Sequence, residues 1–170
     1  MVEFIGFALR RIIMRVKIEF VKNVDKALLK TLLEISRHDG SAPVSKTWLK
    51  KISEHDVFFV AMVNVSDRKA VRYAGFAAVD PWFKYDKNGI ELDIISVKKE
   101  FQRKGIGTEL MRAVENYVKK LGKRFVYLVV RASNTKALRF YAKLGFEVAG
   151  LLADRYGAGK HSIFMRKATN

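Results

Sequence analysis

The chain of 170 residues lacks cysteine and has few histidines and prolines. The absence of cysteine excludes disulfides, a cysteine nucleophile and zinc sites with thiolate ligands. The three histidines, His38, His55 and His161, do not form the H-E-x-x-H pair of a helical zinc site, and the spacing of the carboxylates along the chain indicates no other metal centre. The sequence therefore predicts a protein without a metal.

Linker-type sequence is also scarce. No Ser/Gly-rich linker, low-complexity tract or internal repeat divides the chain, which favours one domain over residues 14–170 after an extension over residues 1–13. The apolar run from Phe4 to Ile13 is too short to span a bilayer and lacks the small-residue cleavage site of a signal peptide. We therefore expect a cytoplasmic protein without a membrane partner.

Acidic residues are outnumbered by basic ones, 17 against 33, and the formal net charge is +16. This excess favours a negatively charged partner, which could be a phosphorylated cofactor, an acidic peptide or a nucleic acid. A lysine-rich, solvated surface explains the same net charge without any partner. Because the basic residues are spread along the chain and form no arm or stripe, we expect no specific nucleic-acid binding.

The hydrophobic pattern predicts an α/β or α+β fold in which helices cover a mixed, mostly antiparallel central sheet. Turn residues separate the periodic segments, and possible helix caps stand where two of the helices begin. The predicted strands cover 15–21, 57–64, 71–79, 90–97, 124–130, 146–152 and 161–166, and the helices about 25–37, 45–53, 105–121 and 134–144. The prediction is thus a sheet of six to seven strands that is flanked by about four helices.

The most informative segment joins the strand at 90–97 to the helix at 105–121 through a basic turn with two glycines. The first amides of a helix lack intrahelical partners, and the helix dipole adds partial positive charge there. Gly105 and Gly107 let a phosphate approach the backbone, while Arg103 adds full charge. The turn predicts a pyrophosphate site, but it lacks the third glycine of a dinucleotide fingerprint and the lysine of a P-loop.

Two sequence elements resemble the GNAT (Gcn5-related N-acetyltransferase) family. The six residues Gln102-Arg103-Lys104-Gly105-Ile106-Gly107 resemble its Q/R-x-x-G-x-G/A turn. Downstream, Asn134 to Phe146 (NTKALRFYAKLGF) resembles its N-x-x-A-x-x-F-Y-x-x-x-G-F element. The resemblance covers about residues 89–147, and the tail from Tyr156 to Arg166 is weakly similar to the ribosomal-protein N-acetyltransferase branch. It implies the acyl-CoA N-acyltransferase fold and acetyl-CoA as co-substrate.

The resemblance also implies how acetyl-CoA binds. The backbone at the end of the 90–97 strand would pair with the pantetheine arm and the acetyl carbonyl, and the amides of 103–108 would hold the pyrophosphate. Asn134 would contact the pantetheine arm, although an asparagine there is also a helix cap. The implied ligands are Ile95, Ser96, Val97, Gln102, Arg103, Lys104, Gly105, Ile106, Gly107, Thr108, Asn134, Tyr141 and Lys143.

Two residues are candidates for catalysis. The resemblance places Tyr141 near the thioester sulfur, where a phenol with a pKa of about 10 could protonate the leaving thiolate. Glu91 has the spacing of the base glutamate in the histone-acetylating branch, with Asp93 or a water chain as alternatives. On a regular strand Glu91, Asp93 and Ile95 would share one face. The implied reaction is direct attack of an amine on the thioester, without a covalent enzyme intermediate.

Three functions compete at this point. The first is an enzyme that acetylates an amine: a protein N-terminus, a lysine or a small amine. The second is a sensor or partner subunit that binds acyl-CoA without catalysis, and the third is a basic nucleic-acid-binding domain. The sequence leaves the acceptor amine and the oligomeric state open, and a homodimer is compatible with it.

Overall fold

The computed structural model describes residues 15–38, 44–64, 71–83 and 86–169, so the predicted extension at 1–13 lies outside the described residues. Within these ranges the chain forms seven strands and four α-helices. In chain order the elements are β1 (Arg15–Val21), α1 (Lys26–Arg37), α2 (Lys46–Ile52), β2 (Val57–Asn64), β3 (Val71–Asp80), β4 (Gly89–Val97), α3 (Ile106–Lys120), β5 (Phe125–Arg131), α4 (Thr135–Lys143), β6 (Glu147–Leu152) and β7 (Ser162–Ala168).

Local signals determine where the helices begin. Asp25 caps α1 by accepting a hydrogen bond from the Leu28 amide at 2.7 Å, and Asn134 caps α4 through the Ala137 amide at 3.1 Å. Ser45 accepts at 3.4 Å from the third residue of α2. These caps satisfy amides that have no partner inside the helix. Across the described ranges, no helix is both long enough and apolar enough to cross a membrane.

The seven strands form one sheet in the order β1-β2-β3-β4-β5-β7-β6. Neighbouring strands are antiparallel except β4 and β5, which are parallel, so the predicted mixed and mostly antiparallel sheet is confirmed. The β4–β5 pairing runs only from Gly89 and Phe125 to Leu92 and Leu128. Beyond these residues β4 continues along β3 and β5 along β7, so the two strands part and leave a notch in the sheet.

A β-bulge interrupts β4 at Asp93, next to the notch. Ala78 of β3 pairs with Ile94 and Val79 pairs with Leu92, which leaves Asp93 as the extra residue. The bulge reverses the alternation of faces along the rest of the strand. The prediction that Glu91, Asp93 and Ile95 share one face is therefore wrong for Ile95, which packs on the α3 side while Ile94 packs on the α1–α2 side.

Helices cover both faces of the sheet and create two apolar clusters. On one face α3 and α4 pack over the strands, with Leu110 and Val114 of α3 fully buried. On the other face α1 and α2 pack over β2 and β3, with Leu32, Leu49 and Phe58 fully buried. The notch between β4 and β5 connects these two sides of the molecule.

Candidate active site

The turn before α3 is fixed to both neighbouring elements by Gln102. Its side-chain amide donates to the Val97 carbonyl at the end of β4 at 2.8 Å. Its Oε1 accepts from Lys136 Nζ of α4 at 2.7 Å. These contacts hold the side chain in place and fix the turn, and the predicted contact of Gln102 with the cofactor stays a prediction.

The backbone of this turn directs amides away from the helix. Arg103 has φ of 57° and Gly105 has φ of 83°, so both lie in the left-handed region. No side chain caps α3, and the amide of Glu109 is bonded to the Gly105 carbonyl at 3.0 Å. The amides that precede Glu109 therefore have no helical acceptor, as an anion site requires.

Positive charge and close packing accompany these amides. Arg103 and Lys143 are exposed, and Lys104 lies over the Phe101 ring at 5.7 Å. A Cβ on Gly107 would approach the Phe140 ring at 3.1 Å, so glycine allows α3 and α4 to lie close together. The two elements with family resemblance are thus adjacent in space, and together they present the free amides of the helix start.

Tyr141 lies on α4 with its ring buried between Phe140 and Phe146, at centroid distances of 5.3 and 5.4 Å. It belongs to the same apolar cluster as Ile106 of α3 and Ile95 of β4. Burial raises the pKa of the Tyr141 phenol well above its usual range. The phenol is therefore protonated at neutral pH and can donate a hydrogen bond.

Four carboxylates meet on the opposite face of the sheet, at the end where β2 and β4 begin. Asp56 directly precedes β2, Asp80 is the last residue of β3, and Asp80 pairs with Glu91 in the sheet register. The neighbours of Glu91 on the strand, Ile90 and Leu92, pack on the α3 side, so Glu91 faces the other way. Asp93, the bulge residue, shares a hydrogen bond with Asp56.

The shared environment favours the neutral forms of Asp56, Glu91 and Asp93. Burial raises the pKa of Glu91 to about 7, helped by the charges of Asp93 and Asp80 and opposed by that of Arg155. Burial also raises the pKa of both Asp56 and Asp93, and the hydrogen bond between them requires that one of the two be protonated. A carboxylate that titrates near neutral pH is matched to the task of a general base.

Residues 26–146 match the sequence model of the acetyltransferase (GNAT) family. The chain belongs to that family. Among related sequences, an uncharacterized N-acetyltransferase of Methanocaldococcus jannaschii is 40% identical over 103 residues, which cover 59% of this chain and 42% of the relative. The chain spans about half the length, or less, of the first curated relatives that it matches.

Solved GNAT structures share the fold of this chain. The ribosomal-protein-S18-alanine N-acetyltransferase of Escherichia coli has a TM-score of 0.71 and 22% identity, covering 92% of this chain and 95% of that protein. An aminoglycoside 6′-N-acetyltransferase complexed with coenzyme A has a TM-score of 0.69 and 19% identity, covering 91% and 97%. These comparisons confirm the predicted family and fold.

In this GNAT chain the predicted site residues fall into two groups. The predicted acetyl-CoA ligands lie around the notch, the α3 turn and α4, while Glu91 lies on the other face of the sheet. Sequence reasoning misses Asp56 and Asp80, because their proximity to Glu91 arises from strand pairing and not from a motif. Pairing the antiparallel strands in register would have placed both beside it, since each aspartate borders a strand end.

Proposed function

We propose that the chain is an N-acetyltransferase that moves an acetyl group from acetyl-CoA to an amine. The observation that carries the proposal is the notch between β4 and β5, with the free amides of α3 and Tyr141 on one side and Glu91 on the other. Such an opening lets a thioester and an amine meet from opposite faces of one sheet.

The α3 turn fits the phosphates of acetyl-CoA. Its amides lack a side-chain cap, and exposed Arg103 adds positive charge. Beyond Leu92 the edge of β4 no longer pairs with β5, so the end of the strand borders the notch, where we place strand-type pairing with the amides of a pantetheine arm. Bound acetyl-CoA supplies the activated acyl group.

Glu91 and Tyr141 divide the proton transfers between them. An acceptor amine must lose a proton to attack, and an α-amine with a pKa of about 8 needs less help than a lysine with about 10.4. Glu91 takes this proton directly or through water, with Asp93 as the alternative acceptor. Tyr141 donates a proton or a hydrogen bond to the departing thiolate, so no covalent enzyme intermediate is needed.

Calorimetry and a coupled assay test the proposal in two steps. We expect saturable binding of acetyl-CoA, and then CoA release when the complex meets a panel of peptide N-termini, lysine peptides and small amines. No binding at about 1 mM acetyl-CoA, the upper end of ordinary KM values, would contradict the proposal. Binding without CoA release from any amine would instead indicate an acyl-CoA-binding module.

A further inference from the structure

The carboxylate cluster formed by Asp56, Asp80, Glu91 and Asp93 contrasts with the rest of the chain. The molecule carries a net charge of +16, yet three neighbouring carboxyl groups raise the pKa of Asp56 by their charge or hydrogen bonding. Burying several acidic groups together is costly unless something compensates their charge. One base for the reaction requires a single carboxylate, so three of the four are left to be explained.

The strongest indication of a ligand comes from Asp56. The residue is only 4% exposed, and its Oδ2 is buried and receives no hydrogen bond from an N–H or hydroxyl of the described residues. The Asp93 carboxyl is its neighbour, and a hydrogen bond between the two carboxyl groups forms only while one of them is protonated. A buried acceptor of this kind is suited to a donor brought by a ligand.

Aromatic rings stand next to the cluster. Tyr127 is the register partner of Glu91 on β5, and it lies 5.1 Å from Phe83 and 5.4 Å from Phe164 between ring centroids. Asp56 also borders a cleft of about 460 Å³, but the lining of that cleft includes Tyr117 of α3 and the cations Lys22 and Lys123, so the cleft is not the ammonium site. Carboxylates beside aromatic surfaces recognise ammonium groups.

A cation of the chain itself already acts on the cluster. The positive charge of Arg155 lowers the pKa of Glu91, and Arg155 lies in the β6–β7 loop. That loop is ordered by Asp154, whose Oδ1 accepts from the Gly159 amide at 2.7 Å and whose amide donates to His161 at 3.1 Å. The Arg155 guanidinium is exposed and lies over the Tyr156 ring at 5.9 Å, so its charge acts on Glu91 from outside the cluster.

We propose that Asp56, Asp80 and Asp93 bind a second ammonium group of the acceptor, so that the preferred acceptors are aliphatic diamines or polyamines. The inference rests on the proposed function, because Glu91 and the notch must serve the reacting amine. Asp80 and Asp56 lie one and two strands away from β4, which corresponds to roughly 5 and 10 Å. The two nitrogens of a good acceptor should therefore be separated by several methylene groups.

Matched pairs of acceptors test this inference. We expect kcat/KM for CoA release to be at least tenfold higher with hexamethylenediamine than with hexylamine, which differs by one ammonium group. Ethylenediamine, whose nitrogens are too close together, should resemble a monoamine. Spermidine and putrescine then define the preferred spacing.

Two variants and a control assign the effect to the cluster. Asp80→Asn and Asp56→Asn should reduce the ratio of kcat/KM between hexamethylenediamine and hexylamine about tenfold, through KM of the diamine. Glu147→Gln, at the exposed start of β6, removes the same charge elsewhere and should leave the ratio unchanged. Asp80 is only partly buried, so its variant should fold even if that of Asp56 does not.

The outcomes separate this inference from the proposed function. Equal kcat/KM for the monoamine and the diamine, or an unchanged ratio in Asp80→Asn, overturns the cationic site while leaving the acetyltransferase intact. If no amine releases CoA, the proposed function fails, and calorimetry with spermidine then tests the cluster alone. Spermidine binding that is lost in Asp80→Asn supports the site, and no binding to the unmodified chain overturns it.

Discussion

Tyr141 combines a buried ring with a position on the cofactor side of the notch. Because burial raises its pKa, the phenol keeps its proton at neutral pH, and in the proposed reaction it donates a hydrogen bond to the departing thiolate. We expect Tyr141→Phe to lower kcat about 100-fold, a typical contribution of a general acid, with little change in acetyl-CoA affinity. Steady-state CoA release and calorimetry measure the two quantities.

Tyr117→Phe is a matched control for this substitution. Burial raises the pKa of Tyr117 as well, but its ring packs on Phe20 and Phe59 at 5.4 and 5.7 Å. The control should therefore keep its kcat. Turnover of Tyr141→Phe equal to that of the unmodified chain would exclude the acid role.

The pH dependence of the reaction depends on Glu91. Since the base must be ionised and its pKa is raised to about 7, kcat/KM should fall as the pH drops below about 7. Glu91→Gln should have lower activity, and its kcat/KM should no longer show this decrease below about pH 7. The remaining pH dependence should be the titration of the acceptor amine alone. If kcat/KM of Glu91→Gln decreased at the same pH as that of the unmodified chain, the ionisation would belong to Asp93 or another group.

The ionised form of Glu91, which the proposed reaction requires, should also lower the stability of the folded protein. Its folded-state pKa lies above the ordinary value of 4.5, so the protonated form favours folding. This contribution is fully present below about pH 4.5 and is lost as the pH rises through about 7. Glu91→Gln should therefore unfold at a higher urea concentration than the unmodified chain at pH 8, whereas exposed Glu147→Gln should show no gain.

At the scale of elements, local signals in the sequence predict the helices and strands well. The first strand lies at Arg15–Val21 as predicted, and the predicted α3 is one residue longer at each end than the observed helix. The bulge at Asp93 is not predictable in this way, because it arises from the pairing of β4 with β3. Sequence spacing alone likewise does not assign Asp56 and Asp80 to the site, because their proximity to Glu91 depends on how β2, β3 and β4 pair.

The start of α3 offers a test of the phosphate turn. Gly105 has φ of 83°, and a Cβ at this position would meet open space, so a side chain there is opposed by the backbone conformation and not by a clash. We expect Gly105→Ala to lower the free energy of unfolding by about 1 kcal/mol. Gly105→Asn should lose less, since asparagine tolerates the left-handed region. Urea unfolding of the two variants makes the comparison, and equal losses would contradict it.

At the scale of the whole molecule, charge is arranged in opposite senses on the two sides of the notch. The proposed cofactor turn carries exposed Arg103 on a chain with a net charge of +16, while the opposite face of the sheet holds the four carboxylates. An anionic donor and a cationic acceptor are thus attracted to different faces. Under the proposed function, the net charge, which by itself also fitted a nucleic-acid partner, would help to capture the phosphates of acetyl-CoA.

Salt should therefore weaken the use of acetyl-CoA more than that of a donor without phosphates. Raising the ionic strength from about 0.1 to about 1 M shortens the Debye length from about 10 to about 3 Å. We expect kcat/KM for acetyl-CoA, at saturating acceptor, to fall several-fold over this range, while kcat/KM for S-acetylpantetheine changes little. Because both donors deliver the same acetyl group, any effect of salt on chemistry or on the acceptor cancels in their ratio. A ratio that is independent of salt would mean that the positive charge of the chain does not contribute to binding the phosphates.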